Sequence, residues 1–259
     1  MINIESAIKA FKEYIEQFNN EEEAGFDLKE KHTYGVMKRS KEIAMSLNLS
    51  DEDVNLAELI GLLHDIGRFE EIIVMKSMDS GKFDHAAYGV KILFEDGLIK
   101  RFTDKEEYYP IIKAAIGNHS KLKIEDGLSE RELIHAKIIR DSDKLDNFEV
   151  KINRKPEHLF KNVVNSQEEF ENSDISDKVY SSIMNRECVV LSDRKLPLDY
   201  YVTIWGFVFD INFKGSYEII KQNDYINRMI DRFEYKVPGV QEKIEHIRMV
   251  LNEWVDSKI

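Results

Sequence analysis

The sequence predicts an all-α protein, and three features carry that expectation. Only 4 prolines and 12 glycines interrupt 259 residues. Apolar residues recur at three- and four-residue spacing along most of the length, the mark of helices with one buried face. Helix-start residues stand ahead of several of these runs. With 42% hydrophobic residues the chain has material for a substantial core.

Taken in order, Ile4, Ile8, Phe11, Tyr14, Ile15 and Phe18 mark a first helix that stops before Glu21-Glu22-Glu23 and a turn at Gly25. A second runs from Asp27 to Leu47 with His32, Val36 and Ile43 on its apolar side. Ser50 or Asp51 starts a third, where Glu52 and Asp53 suit the positive end of the helix dipole. From Val54 to Leu63 that helix is apolar on most of its circumference, which predicts the buried centre of a bundle. It ends at His64-Asp65, with Gly67 placed to let the chain leave.

Residues 68–83 read as an irregular, charged loop long enough to act as a lid. Asp84 opens a helix through His85, Tyr88, Val90, Ile92, Leu93 and Phe94 to Gly97. Pro110 marks a first helical turn leading through Ile111, Ile112, Ala115 and Ile116 to Gly117-Asn118-His119. Ser129 and Glu132 form a capping-box pattern ahead of a helix that carries Asp141, Asp143 and Asp146. Near residue 150 the texture turns rich in Asn, Ser and Glu. This divides a core, 1–150, from a helical extension, 151–259, expected to pack on it as one unit. Within the extension the aromatic run Tyr200, Tyr201, Trp205, Phe207, Phe209 and Phe213 is expected to be core. Segments around Tyr217–Phe233 and Val240–Trp254 complete the helices.

Charge and composition exclude several roles. A net charge of −12 argues against a protein that holds long nucleic acid by its overall field. Charged residues make up 33%, mean hydropathy is −0.43, and no apolar run reaches the 18 or so residues of a membrane span. With no secretory signal before residue 20, the expected location is cytoplasmic. Cys188 is the one cysteine, so an intramolecular disulfide and a thiolate zinc cluster are both ruled out, and any metal must be held by His and Asp or Glu.

Four of seven histidines fall on helix ends or turns together with the acids: His32, His64 beside Asp65, His85, His119 and the stretch Arg140 to Asp146. They lie far apart in sequence, so metal binding requires helices to project them into a shared interior. His135, His158 and His246 read as ordinary histidines.

The order of these residues resembles the HD-domain metal-dependent phosphohydrolase superfamily. The matching stretches are Lys31-His32-Thr33-Tyr34-Gly35-Val36, Gly61-Leu62-Leu63-His64-Asp65-Ile66-Gly67-Arg68 and Asp141-Ser142-Asp143-Lys144-Leu145-Asp146. His85 and His119 resemble the additional histidines of its two-metal branch. The resemblance covers about residues 28–148 and implies an HD-domain-like bundle with additional C-terminal helices. It implies one divalent ion on His32, His64, Asp65 and Asp143, with Asp65 bridging to a second on His85 and His119. Nitrogen and oxygen ligands suit Fe, Mn, Zn or Co, and a hydroxide shared by two such ions can attack phosphorus in line. Asp146 is placed to support the site from behind, whereas Asp141, two residues from Asp143, faces another way.

The implied substrate is a small phosphate ester, nucleotide or dinucleotide, with the ions offsetting its charge on an acidic protein. Arg68 and Lys144 are the candidate phosphate contacts, and Lys76 and Lys82 weaker ones. No Gly-Tyr-Pro element follows the His-Asp pair, which disfavours the cyclic-di-GMP hydrolases of the superfamily. Two other readings share the ligand set: a di-iron oxygenase on the same fold, and a catalytically silent module that binds metal or nucleotide.

Overall fold

Asn3 begins the first helix, α1 (Ile4–Ile15), because its side-chain oxygen accepts the Ser6 N–H and so satisfies one of the free donors of the first turn. The structure, a computed structural model, describes residues 2–18, 26–75, 83–155, 159 and 166–259; it is 74% helical with no strand among them. Two compact units divide the chain, Met1–Asp146 and Asn147–Ile259.

In the first unit α2 (Phe26–Ser46) is a largely polar helix that buries a narrow stripe, Phe26, His32, Thr33, Val36, Ser40, Ile43 and Ala44, so His32 points inward by its register. Against it lies α3 (Asp51–Leu63), started by Ser50, whose hydroxyl accepts the Asp53 N–H. Every residue of α3 from Leu56 to Leu63 is buried, which makes it the central helix, as its all-round apolar character predicts. His64 and Asp65 form the turn at its end, also buried.

The chain does not become a loop after that turn. Residues 68–75, expected to be irregular, continue as α4 (Ile66–Met75). They contain neither proline nor glycine, and Phe69 and Glu71 are both buried, so inward packing outweighs the charges that suggested a loop. Residues 76–82, the rest of the expected lid, lie outside the described residues with Lys76 and Lys82. Gly67 is not an exit but the second residue of α4. A Cβ there would lie 2.6 Å from the His85 carbonyl oxygen and 2.9 Å from the Gly89 nitrogen, so its absence admits the next helix to close range.

That helix is α5 (His85–Val90), capped by Asp84, which accepts the Ala87 N–H at 2.9 Å. A π-helical turn, Lys91–Glu95, then carries the chain to Gly97, which takes the left-handed conformation at φ 79°. Pro110 sits in the first turn of α6 (Tyr109–Asn118). The capping box before α7 (Glu130–Asn153) is formed: Ser129 N–H donates to Glu132 Oε2 at 2.7 Å and Glu132 N–H to Ser129 Oγ at 3.3 Å.

The second unit holds α8 (Gln167–Glu171), α9 (Asp177–Met184), α10 (Pro197–Trp205), α11 (Lys214–Gln222), α12 (Tyr225–Ile230) and α13 (Val240–Asp256). Tyr201 and Trp205 are buried; Tyr201 packs edge-on with Phe170, Phe233 and Trp205 at ring separations of 5.4–5.7 Å, so this part of the aromatic run is core. The segment Tyr217–Phe233 is broken into two helices at Asp224, which has a positive φ of 50°. His246 meets the Tyr180 hydroxyl at 3.1 Å, and His158 is outside the described residues.

His135 ties α7 to α3. It is fully buried, its Nε2 lies 3.0 Å from Asp53 Oδ1, and Arg131 Nε donates to the same oxygen at 2.7 Å. Burial pushes His135 below its ordinary 6.5. Burial would raise Asp53 above its ordinary 3.8, but hydrogen bonds from His135, Arg131 and Ser50 bring it lower instead. Both displacements act in the same direction. Below about pH 6.5 the unfolded chain takes up a proton on His135 that the folded chain resists, and nearer pH 4 the same holds for Asp53. Thermal unfolding followed by circular dichroism should therefore show lower stability at pH 5 than at pH 7. Asp53→Ala should cost about 1–3 kcal/mol at pH 7 by leaving His135 without its partner; unchanged unfolding would refute the pairing.

Candidate metal centre

Three imidazoles of the first unit are turned the same way by different partners. His64 ends α3, and its Nδ1–H donates to the Gly61 carbonyl at 2.8 Å; His119 ends α6, and its Nδ1–H donates to the Ile116 carbonyl at 2.7 Å. Carbonyls of a last helical turn lack backbone donors, so a histidine at that position is oriented by the helix end itself. His32 stands within α2, where Asp146 Oδ2, 2.6 Å from Nδ1, does the same work. In each case Nδ1 is held by that partner, leaving Nε2, the atom whose lone pair would bind a metal, aimed at the interior.

Asp65 is where these lone pairs converge. Its Oδ2 lies 3.2 Å from His64 Nε2 and 3.8 Å from His32 Nε2, while its Oδ1 lies 3.4 Å from both His85 Nε2 and His119 Nε2. Asp143 Oδ1 completes the first side, 3.1 Å from His32 Nε2 and 4.0 Å from His64 Nε2. Two groups result, His32–His64–Asp143 and Asp65–His85–His119, with the ligand atoms of each within 4.8 Å of one another. The structure thus brings together all six candidate ligands, from the middle of α2, the turn after α3, the start of α5, the end of α6 and the middle of α7.

The residues present fit divalent ions. Buried polar atoms normally find partners, yet among the described residues His64 Nε2 and Asp65 Oδ1 have no hydrogen-bond partner although both are buried. His85 and His119 face each other through Nε2 at 3.1 Å, an arrangement that a cation between or beside them would explain. Burial pushes His64 down and takes His85 down to about 3. Burial opposes ionisation of Asp65 and Asp143, but Lys29 and His64 around the first and His32 beside the second hold both below the usual carboxylate range. Burial and Lys29 depress His32, and the hydrogen bonds to Asp143 and Asp146 outweigh them, so its displacement is upward. Neutral His64 and His85 with ionised carboxylates are the forms that bind metal.

Of the candidate phosphate contacts, Arg68 lies at the edge of the centre. Its Nε is 3.9 Å from Asp65 Oδ1, and its Nη1 donates to the fully buried Glu71 at 2.8 Å. Lys144 is buried on α7, one position after Asp143 and so about 100° round the helix from it. Asp141 is fully buried and belongs to neither group.

Several participants escape a reading of the sequence. Lys29, one turn before His32, places its ammonium on Asp65 Oδ2. Glu71 holds Arg68 from one turn further along α4. Arg140 donates from Nη1 to the carbonyls of Asn118 at 2.9 Å and Lys121 at 2.5 Å, which pins the turn that follows His119. Gly35 leaves the space that Asp146 occupies: a Cβ there would overlap the Asp146 carboxylate. The signal for Lys29 and Glu71 is the three-residue helical spacing from a known site residue, and for Gly35 the same spacing from His32.

The family model of the HD domain matches residues 30–147. This stretch is an HD domain. It opens two residues before His32 and closes one after Asp146, so both groups and Asp146 fall inside it, while Lys29 lies one residue before its start. HD domains bind divalent metals and are generally hydrolases. No curated protein and no solved structure matches the chain. Among the described residues no helix is long and apolar enough to cross a membrane.

The geometry of this HD domain makes Gly35 a test of how His32 is held. Gly35→Ala should displace Asp146 from His32 and weaken Mn²⁺ binding by about 10- to 100-fold with little loss of helicity, as calorimetric titration and circular dichroism would show. Undiminished binding would mean that Asp146 does not orient His32.

Proposed function

We propose that the protein is a metal-dependent phosphohydrolase acting on a small phosphate ester, nucleotide or dinucleotide. The observation that carries this reading is the division of the Asp65 carboxylate: Oδ2 faces the His32–His64–Asp143 group and Oδ1 faces His85 and His119. On this reading His32, His64, Asp143 and Asp65 Oδ2 hold one ion, and His85, His119 and Asp65 Oδ1 hold a second. Divalent Fe, Mn, Zn or Co bound there would lower the pKa of water to generate the nucleophile and offset the charge of the phosphoryl group.

The chain supplies the rest. Asp65 sets the spacing of the pair, Nδ1 partners lock three imidazoles in the ligating tautomer, and Arg68, steadied by Glu71, is within reach of a phosphoryl oxygen. Lys144 is kept as a second candidate contact. A local dication pair also reconciles an anionic substrate with a net charge of −12.

Metal analysis of the purified protein, joined to a phosphate-release screen over nucleotides and sugar phosphates, tests the proposal. We expect two ions per chain and turnover of at least one class. Asp65→Ala should lose both the ions and the turnover, and His119→Ala should retain one ion. Iron with oxygen consumption and no phosphate release would overturn the proposal in favour of an oxygenase; ligand-dependent stabilisation with no turnover would overturn it in favour of a binding module.

A further inference from the structure

The most heavily buried acid of the centre already has a cation on it. Lys29 projects from α2 with 14% of its side chain exposed, and its ammonium pairs with Asp65 Oδ2, the oxygen that also faces His32 and His64. Its backbone is fixed by the helix, where its carbonyl accepts the Thr33 hydroxyl at 3.0 Å. Beside the other oxygen, Oδ1, lie His85 and His119 Nε2 at 3.4 Å and, as the nearest cation, the more distant Arg68 guanidinium, whose Nη1 is engaged by Glu71. A buried carboxylate without a compensating charge is strongly disfavoured. Lys29 therefore supplies, inside the protein, the countercharge that Asp65 needs.

We infer that Lys29 is an internal counter-ion that competes with the metal ion for Asp65 Oδ2 and, once displaced, becomes a ligand for an anionic oxygen of the substrate. This rests on the metal-centre reading given above. An ammonium and a dication cannot both take the same carboxylate oxygen at close range, because like charges repel strongly in a site with little water. The displaced ammonium stays tethered by four methylenes to a helix position one turn from His32, so it remains beside the centre. Compact, strongly hydrated and carrying three donors, it suits a phosphoryl oxygen better than an apolar neighbour. Lys29 and Arg68 would then flank Asp65 from its two oxygens and receive the phosphoryl group from opposite sides.

The probes are Mn²⁺ alone and then inorganic phosphate, titrated calorimetrically into the full-length protein and its Lys29→Met variant, with Lys29→Gln in reserve should the first not fold. The variant should bind Mn²⁺ about tenfold more tightly at its stronger site, the scale on which groups behind a ligand tune a metal. The Mn²⁺-loaded variant should bind phosphate about tenfold more weakly, the loss of one charge-assisted hydrogen bond. Unchanged or weaker Mn²⁺ binding, or unchanged phosphate binding, in a folded variant overturns the role of Lys29 while leaving the metal centre in place. A wild-type protein that binds none of Mn²⁺, Fe²⁺, Co²⁺ and Zn²⁺ overturns the metal-centre reading and this inference with it.

Discussion

The structure of the first unit depends on keeping one carboxylate, Asp65, ionised and nearly inaccessible. Such a group is tolerated only where charges and donors surround it. Here Lys29 pairs with Oδ2 and Arg68 lies further off from Oδ1, while the Nε2 atoms of His64, His85 and His119 face the carboxylate at 3.2–3.4 Å. These groups come from five segments, so the surroundings of Asp65 bring α2, α4, α5 and α6 together at the end of α3. The apolar burial of α3 sets where that end lies. Gly67 allows α5 to approach closely enough for His85 to take part.

Helix termini do much of the positioning. His64 and His119 cap α3 and α6, and the carbonyls three residues earlier turn each ring. His85 opens α5 behind the Asp84 cap. His32 has no helix end to use and relies on Asp146, which in turn relies on the absence of a side chain at Gly35. The same lone-pair direction is reached by two routes, one local and one tertiary. The tertiary route is the more easily broken, because a single methyl group at position 35 would block it.

That difference also explains what the sequence made legible. The apolar run from Val54 to Leu63 and the His64-Asp65 turn were readable, because burial on all sides and a helix stop are properties of a short segment. The Ser129–Glu132 box and the Asp84 cap were readable for the same reason. The six candidate ligands could be picked out by residue type and order, although only packing brings them together. Lys29 and Glu71 are not legible in the sequence because their roles depend on partners that the fold supplies: Lys29 meets an acid beyond its own helix, and the worth of Glu71 comes from its burial. The charges of residues 68–75 suggest a loop, whereas the inward faces of Phe69 and Glu71 decide for a helix. Asp224 breaks a helix through a left-handed backbone, a conformation that the Asn223-Asp224 pair tolerates but does not by itself require.

The central claim is that Asp65 joins two ions rather than serving one. Electron paramagnetic resonance of the Mn²⁺-saturated protein reads this directly, since two ions sharing a carboxylate are magnetically coupled and separate ions are not. The account predicts a coupled spectrum at two Mn²⁺ per chain. A spectrum of isolated ions at full occupancy, or saturation at one ion, would contradict it.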